Sequence, residues 1–256
     1  MNINHISVSR ISVFRECSAK YRFHYHTKTP SPTEEPYYFT YGKIVHKISE
    51  CYVSAKGDRT IGEVTQDVLN GTISLERDEK NKKKLILPAE YKKKLPEHLA
   101  AIHKLTKQIG FDGEVEKPFE YDLDPPHNRI AKGFIDRVIR KGDNFFLLDY
   151  KTSKKNFYRK NSSNISKDLQ LRTYARVIQR EYKVPAKNIR TALYYLEQPE
   201  LIGCIFSEES LASVEKELLE VYKQIESMPE DQAWGNVGEW CKRCDYRPIC
   251  PFYRLT

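Results

Sequence analysis

Two apolar runs, Gly133–Val138 and Leu147–Lys151, lie on either side of Lys141-Gly142-Asp143-Asn144. That spacing, with Gly and Asp between hydrophobic stretches, predicts a β-hairpin. With Gly142-Asp143 at the tip, opposed residue numbers sum to 285, so Asp136 faces Asp149. Directly opposed side chains on one sheet face lie about 5 Å apart. Lys151 is two residues beyond Asp149, so strand alternation returns it to the same face. Two carboxylates and an ammonium thus converge where Phe134, Val138 and Leu147 would otherwise be buried. Charges so close to a core are costly unless they serve a task. Holding a divalent cation is the task these residue types suit.

The 256 residues are enough for one large domain or two small ones. A formal charge of +8 and a pI near 9.0 point to a polyanionic partner, nucleic acid first. No apolar run is long enough to span a membrane. The start, Met1-Asn2-Ile3-Asn4-His5, lacks the pattern of a secretory signal, which predicts an intracellular location. Structural disulfides are rare there, so the six cysteines need another account.

A first helix is predicted from a cap at Ser7 or Ser9 to about Tyr25, with Ile11, Phe14, Cys17, Tyr21 and Tyr25 on one side. Thr29-Pro30-Ser31-Pro32-Thr33 breaks it. A second helix begins near Tyr41 and carries His46 towards Tyr52. Residues 57–96 form a helical insertion with a solvated basic face that includes Lys80, Lys82, Lys83, Lys84 and Lys92 to Lys94. From Glu114 short strands are expected at about 114–123, in the 130–152 hairpin, and at 191–196 and 202–206. The stretch 153–166, with Lys154, Lys155, Arg159 and Lys160, reads as a loop. Ser166 is expected to cap a helix from Lys167 to about Tyr182, and Ser207 one reaching about Met228. The pattern is α/β with one main sheet.

Asp136 and Asp149 can each give a hard oxygen to Mg²⁺ and leave positions for water and phosphate. A metal so held can activate water and offset phosphoryl charge, with Lys151 orienting the water or neutralising developing charge. Gln170 and Tyr174 are at i and i+4 on one helix face, able to reach a phosphate, a base or the lysine. His46 is a possible ligand, although a histidine on an apolar helix is often a core residue. Cys241, Cys244 and Cys250 are spaced for soft-metal ligation, with Cys17, Cys51 or Cys204 as a fourth ligand. Spacing alone fits either zinc or an iron–sulfur cluster.

Taken in order, these pieces resemble the RecB-like branch of the PD-(D/E)XK nucleases, in particular its iron–sulfur members: the AddB nuclease domain and the small CRISPR-adaptation nucleases. The resemblance covers nearly the whole chain. It rests on Arg15-Glu16-Cys17-Ser18-Ala19-Lys20-Tyr21, Gly42-x-x-x-His46, Glu116, Gly133-Phe134-Ile135-Asp136, Asp149-Tyr150-Lys151, Gln170-x-x-x-Tyr174, and Cys241, Cys244 and Cys250. Two departures are Ser18, where relatives often carry Pro, and Asp149, where many carry Glu.

The resemblance implies a single domain over residues 1–256. Its restriction-endonuclease-like core is a central mixed sheet flanked by helices, with an N-terminal helical region and a Cys-rich tail at 240–253 closing an iron–sulfur site. It implies His46, Asp136 and Asp149 as ligands for Mg²⁺ or Mn²⁺, with the Tyr150 carbonyl as a further one, and Lys151 as the catalytic lysine. Gln170 and Tyr174 would line the active site and the path of DNA. Glu116 matches an acidic position of the family, with Glu120 as its neighbouring rival. Cys17, Cys241, Cys244 and Cys250 would hold a structural [4Fe–4S] cluster, leaving Cys51 and Cys204 as packing residues. The expected activity is a metal-dependent DNA exonuclease acting on single strands or free ends. The alternatives are prespacer processing in CRISPR adaptation and a non-catalytic nucleic-acid-binding module with zinc or iron–sulfur. Self-association, or an integrase or helicase partner, is compatible with the resemblance.

Overall fold

The computed structural model describes residues 1, 3–34, 36–75, 83–153 and 160–253. Its elements run α1 (Val8–Glu16), α2 (Ser18–Tyr21), α3 (Tyr37–Ser54), α4 (Ile61–Asn70), α5 (Ala89–Ile109), β1 (Glu114–Asp124), β2 (Arg129–Lys141), β3 (Asn144–Lys151), α6 (Leu169–Tyr182), β4 (Ile189–Tyr195), β5 (Glu200–Ile205) and α7 (Glu208–Ser227). The five strands form one mixed sheet in the order β1-β2-β3-β4-β5. β2 and β3 pair antiparallel, β3 and β4 parallel, and β4 and β5 antiparallel.

The hairpin has the register its turn residues predict. The ladder runs from Lys141 opposite Asn144 to Arg137 opposite Leu148, every pair summing to 285, and Asp136 and Asp149 come next. Gly142 at the tip has φ 60°, the left-handed conformation that this turn requires and glycine adopts freely.

Two compact units share the chain: residues 1–35, 118–133 and 209–256, and residues 36–117 and 134–208. In the second, Tyr41, Ile44, Val45, Ile48 and Tyr52 of α3 join Val64 and Val68 of α4 and Ile102 and Leu105 of α5. This cluster closes over Leu148, Tyr150, Ala192 and Tyr194 of the sheet. Removing each such aliphatic side chain from water contributes about 1.5–3 kcal/mol. The alternate residues Leu147, Thr191 and Leu193 are buried too, and α6 packs on β3 and β4, so helices flank the sheet.

In the first unit Ile6 bridges to Ala131, and the Tyr222 hydroxyl donates to the Ile3 carbonyl at 2.9 Å. Leu211, Val214, Leu218, Val221 and Ile225 of α7 are buried there.

Several local expectations are corrected. The first helix does not run unbroken to Tyr25: Cys17 is extended at φ −162°, ψ 117°, with α2 and a π-helical turn, Arg22–His26, after it. The 57–96 stretch supplies α4, and α5 runs straight through Pro96. Lys83, Lys84, Lys92 and Lys93 are exposed, while Lys80 and Lys82 lie outside the described residues, as do Lys154, Lys155 and Arg159. The cap of α6 is Asp168 rather than Ser166: the Asp168 side chain accepts from Leu171 N, and a carboxylate also suits the positive end of a helix. Phe134 is not buried beside Val138 and Leu147; it is 36% exposed.

Candidate active site and cysteine cavity

The residues singled out in the hairpin meet at one end of the sheet. Asp136 Oδ2 accepts from the Tyr150 backbone N–H at 2.7 Å and lies 3.3 Å from His46 Nδ1 on α3. Next to Asp136, the buried Arg137 points to the other face and donates to the carbonyls of Gly110 and Asp112. That anchors the entry to β1. Glu116 follows on β1 with φ 46°, a left-handed value rare for a non-glycine strand residue. One ligand atom each from His46, Glu116 and Asp136 lies within 4.8 Å of the others. Glu120 instead pairs with Lys132 at 2.7 Å, so Glu116 is the acidic residue of β1 that belongs to this cluster. Spacing gave no sign that Glu116 would stand beside His46 and Asp136, because the backbone twist that aims it cannot be read from residue types.

Asp149 is almost fully buried, and its Oδ2 lies 2.7 Å from Lys151 Nζ. That contact is an ion pair, with the ammonium set against the buried carboxylate oxygen. Lys151 Nζ donates to Gln170 Oε1 at 2.9 Å, and Gln170 Nε2 donates to Tyr174 Oη at 2.7 Å. The i, i+4 spacing on α6 therefore forms a relay, with Leu171 and Ala175 buried behind it. Tyr150 turns its ring, 3% exposed, into the opposite core and contributes its backbone here.

Electrostatics follow from this packing. Burial alone would lower the His46 pKa, but Asp136 outweighs it and raises the value to about 9. Burial would raise Asp136, yet His46 and the Tyr150 N–H bring it below the usual carboxylate range. Asp149 moves up, chiefly through burial, with Asp136 adding to the effect against Lys151. Lys151 stays cationic because Asp149 and Asp136 overcome its desolvation. Burial and the same two carboxylates push the Tyr174 phenol well up.

The donor set fits a divalent cation. Two carboxylates and an imidazole converge, and Asp149, which burial and Asp136 push up, adds a third carboxylate near Asp136, a crowding of negative charge that a cation would relieve. Hard oxygens suit Mg²⁺, and the nitrogen admits Mn²⁺.

In the other unit, Cys17, Cys241, Cys244 and Cys250 line one cavity with Phe23, Trp240 and Tyr246. All are free thiols. Cys17 Sγ accepts from Asn236 N at 3.4 Å, and Cys241 Sγ from Gly238 N at 3.5 Å. Burial raises the Cys244 thiol. Cys51 packs against the helical core, and Cys204 Sγ lies 3.6 Å from Thr191 Oγ1.

A sequence model of the PD-(D/E)XK nuclease superfamily matches residues 5–251, and the chain belongs to that superfamily. Membership indicates a nuclease, and such nucleases use divalent metals. No curated protein matches the chain. Among solved structures, the "Putative exonuclease" of Eubacterium rectale is 13% identical, with a TM-score of 0.53 over 95% of this chain and 88% of that one. SSO0001 is 15% identical, with a TM-score of 0.43 over 99% and 89%. At 13% identity the Eubacterium rectale likeness concerns fold alone. Among the described residues, no helix is long and apolar enough to cross a membrane.

Proposed function

We propose that the chain is a metal-dependent DNA nuclease of the iron–sulfur, RecB-like kind, hydrolysing phosphodiester bonds at free ends of single strands. The observation that carries this reading is the meeting of His46, Glu116 and Asp136 within 4.8 Å, with Asp149 near enough for Asp136 to add to the rise that burial gives its pKa. His46, Asp136 and Asp149 would hold Mg²⁺ or Mn²⁺, with Glu116 and the Tyr150 carbonyl completing the donor set. Such an ion would supply Lewis acidity there, activating water and offsetting charge on the phosphoryl group.

The protein's own residues do the rest. The Tyr150 N–H fixes Asp136 from the neighbouring strand. Lys151 keeps its proton and presents positive charge where a phosphate gains negative charge. Gln170 and Tyr174 hold that ammonium in place, because the Gln170 amide has one donor and one acceptor end and both are used.

The cysteine cavity is read as a [4Fe–4S] site of Cys17, Cys241, Cys244 and Cys250. The four thiols line one cavity, and a set of four thiolates is what such a cluster takes. On this reading the whole chain is one nuclease domain, 57–96 is an insertion, and 240–253 is the tail that the cluster ties to Cys17.

The test is cleavage of linear against circular single-stranded DNA by anaerobically purified protein with Mn²⁺ or Mg²⁺, with Asp149→Ala as control. Loss of the linear substrate alone, absent in the variant, is the expected result. Cutting of the circle would replace the exonuclease with an endonuclease. Cleavage that survives Asp149→Ala would refute the site, and tight binding without cleavage would favour the non-catalytic module.

A further inference from the structure

We infer that Tyr38 and Phe39, on the first turn of α3, form a stacking platform for unpaired bases of a DNA strand bound at the candidate metal site. This deepens the nuclease reading and rests on it. Both rings are exposed, Tyr38 by 52% and Phe39 by 46%, and they lean together with centroids 4.3 Å apart and planes at 38°. Adjacent large aromatics left in water are uncommon away from binding surfaces.

Their place on the helix ties them to the site. At 3.6 residues per turn, Phe39, Lys43 and His46 fall within an arc of about 60°, Gly42 lies about 40° beyond its edge, and Tyr38 about 40° further round. The opposite face, with Tyr41, Ile44, Val45 and Ile48, is buried. The exposed face therefore carries an aromatic pair, a glycine, a cation and a candidate metal ligand in sequence. From Phe39 to His46 is about 10 Å along the axis, the reach of a short length of extended strand.

Gly42 brings this stripe to the end of β3: a Cβ there would lie 3.6 Å from Thr152 Oγ1, and Thr152 follows Lys151. A strand whose phosphate sits at His46, Glu116 and Asp136 can pass its backbone by Gly42 and Lys43 and lay its bases on Phe39 and Tyr38. Lys43 suits a phosphate, and every base has a face to stack. A paired base keeps its face inside the duplex, so the platform selects single strands. A protein partner would account for the rings but not for their alignment with the cation and the metal ligands.

The test compares binding of oligothymidine with that of an abasic deoxyribose-phosphate backbone of equal length and charge, without divalent metal, by anisotropy. The wild type should prefer the bases about tenfold or more. Tyr38→Leu combined with Phe39→Leu should bind both alike, at the wild type's abasic level. Phe39→Trp should keep the preference and shows that the surface tolerates change. A double variant that still prefers oligothymidine, or a wild type that binds both equally, overturns the platform. Cleavage with Mn²⁺ is read in parallel. A wild type that prefers bases but cleaves nothing would overturn the nuclease reading and leave base stacking intact. An active double variant that retains the base preference would do the reverse.

Discussion

The backbone N–H of Tyr150 donates to Asp136 Oδ2 at 2.7 Å, joining the carboxylate of one hairpin strand to the backbone of the other. The same oxygen lies 3.3 Å from His46 Nδ1. Asp136 therefore links the hairpin to α3, and its orientation is set by the fold.

Asp136→Asn separates the structural from the chemical role. An amide oxygen can still accept from the Tyr150 N–H, so the melting temperature should move by only a few degrees. Charge at the donor set is lost, and cleavage should fall by about 100-fold or more, the scale seen when a group stabilising transition-state charge is removed. Cleavage within a few-fold of wild type, with Mn²⁺ near saturation, would exclude Asp136 from the site.

Metal binding should release a proton. His46, with its pKa raised to about 9, is imidazolium at pH 7.5, and only neutral imidazole ligates. Below pH 9 each unit of acidification should therefore weaken Mn²⁺ binding by up to tenfold, and above pH 9 the dependence should flatten. Titration calorimetry in two buffers of different ionisation enthalpy at pH 7.5 should report about one proton released per ion. Equal heats in both buffers would mean that His46 keeps its proton and is not a ligand.

On the proposed reading, Glu116 is a cost that metal binding imposes on the fold. A left-handed φ of 46° disfavours a glutamate by about 1–2 kcal/mol, whereas asparagine tolerates it. Glu116→Asn should raise metal-free stability by about 1 kcal/mol in urea unfolding, while weakening Mn²⁺ binding and cleavage. A destabilised variant would show that the glutamate contributes more to the fold than its backbone conformation costs.

The hairpin register was legible because turn chemistry fixes it: Gly142-Asp143 admits one pairing, and Asp136, Asp149 and Lys151 then share a face. The Gln170–Tyr174 relay followed from helical spacing. Other features depend on tertiary choices that spacing does not encode. Alternation puts Phe134 on the face of Asp136 without saying where that face meets solvent. Ser166 and Asp168 are both good caps, and only the helix start distinguishes them. The break at Cys17 lies inside a sequence that reads as continuous helix, and the orientation of Glu116 depends on one unusual torsion.

The cysteine cavity gives the last prediction. On the iron–sulfur reading, protein prepared without oxygen should be brown, with iron and acid-labile sulfide in equal amounts and no zinc. Cys17 lies at the break after α1 and Cys241, Cys244 and Cys250 lie in the C-terminal tail, so loss of one proposed ligand should loosen that tail. Cys250→Ser should bleach the chromophore and lower the melting temperature, whereas Cys51→Ser and Cys204→Ser should leave the colour unchanged. With the site intact in the other unit, the bleached variant should still bind Mn²⁺ with wild-type affinity. Stoichiometric zinc with no sulfide would replace the cluster with a mononuclear site.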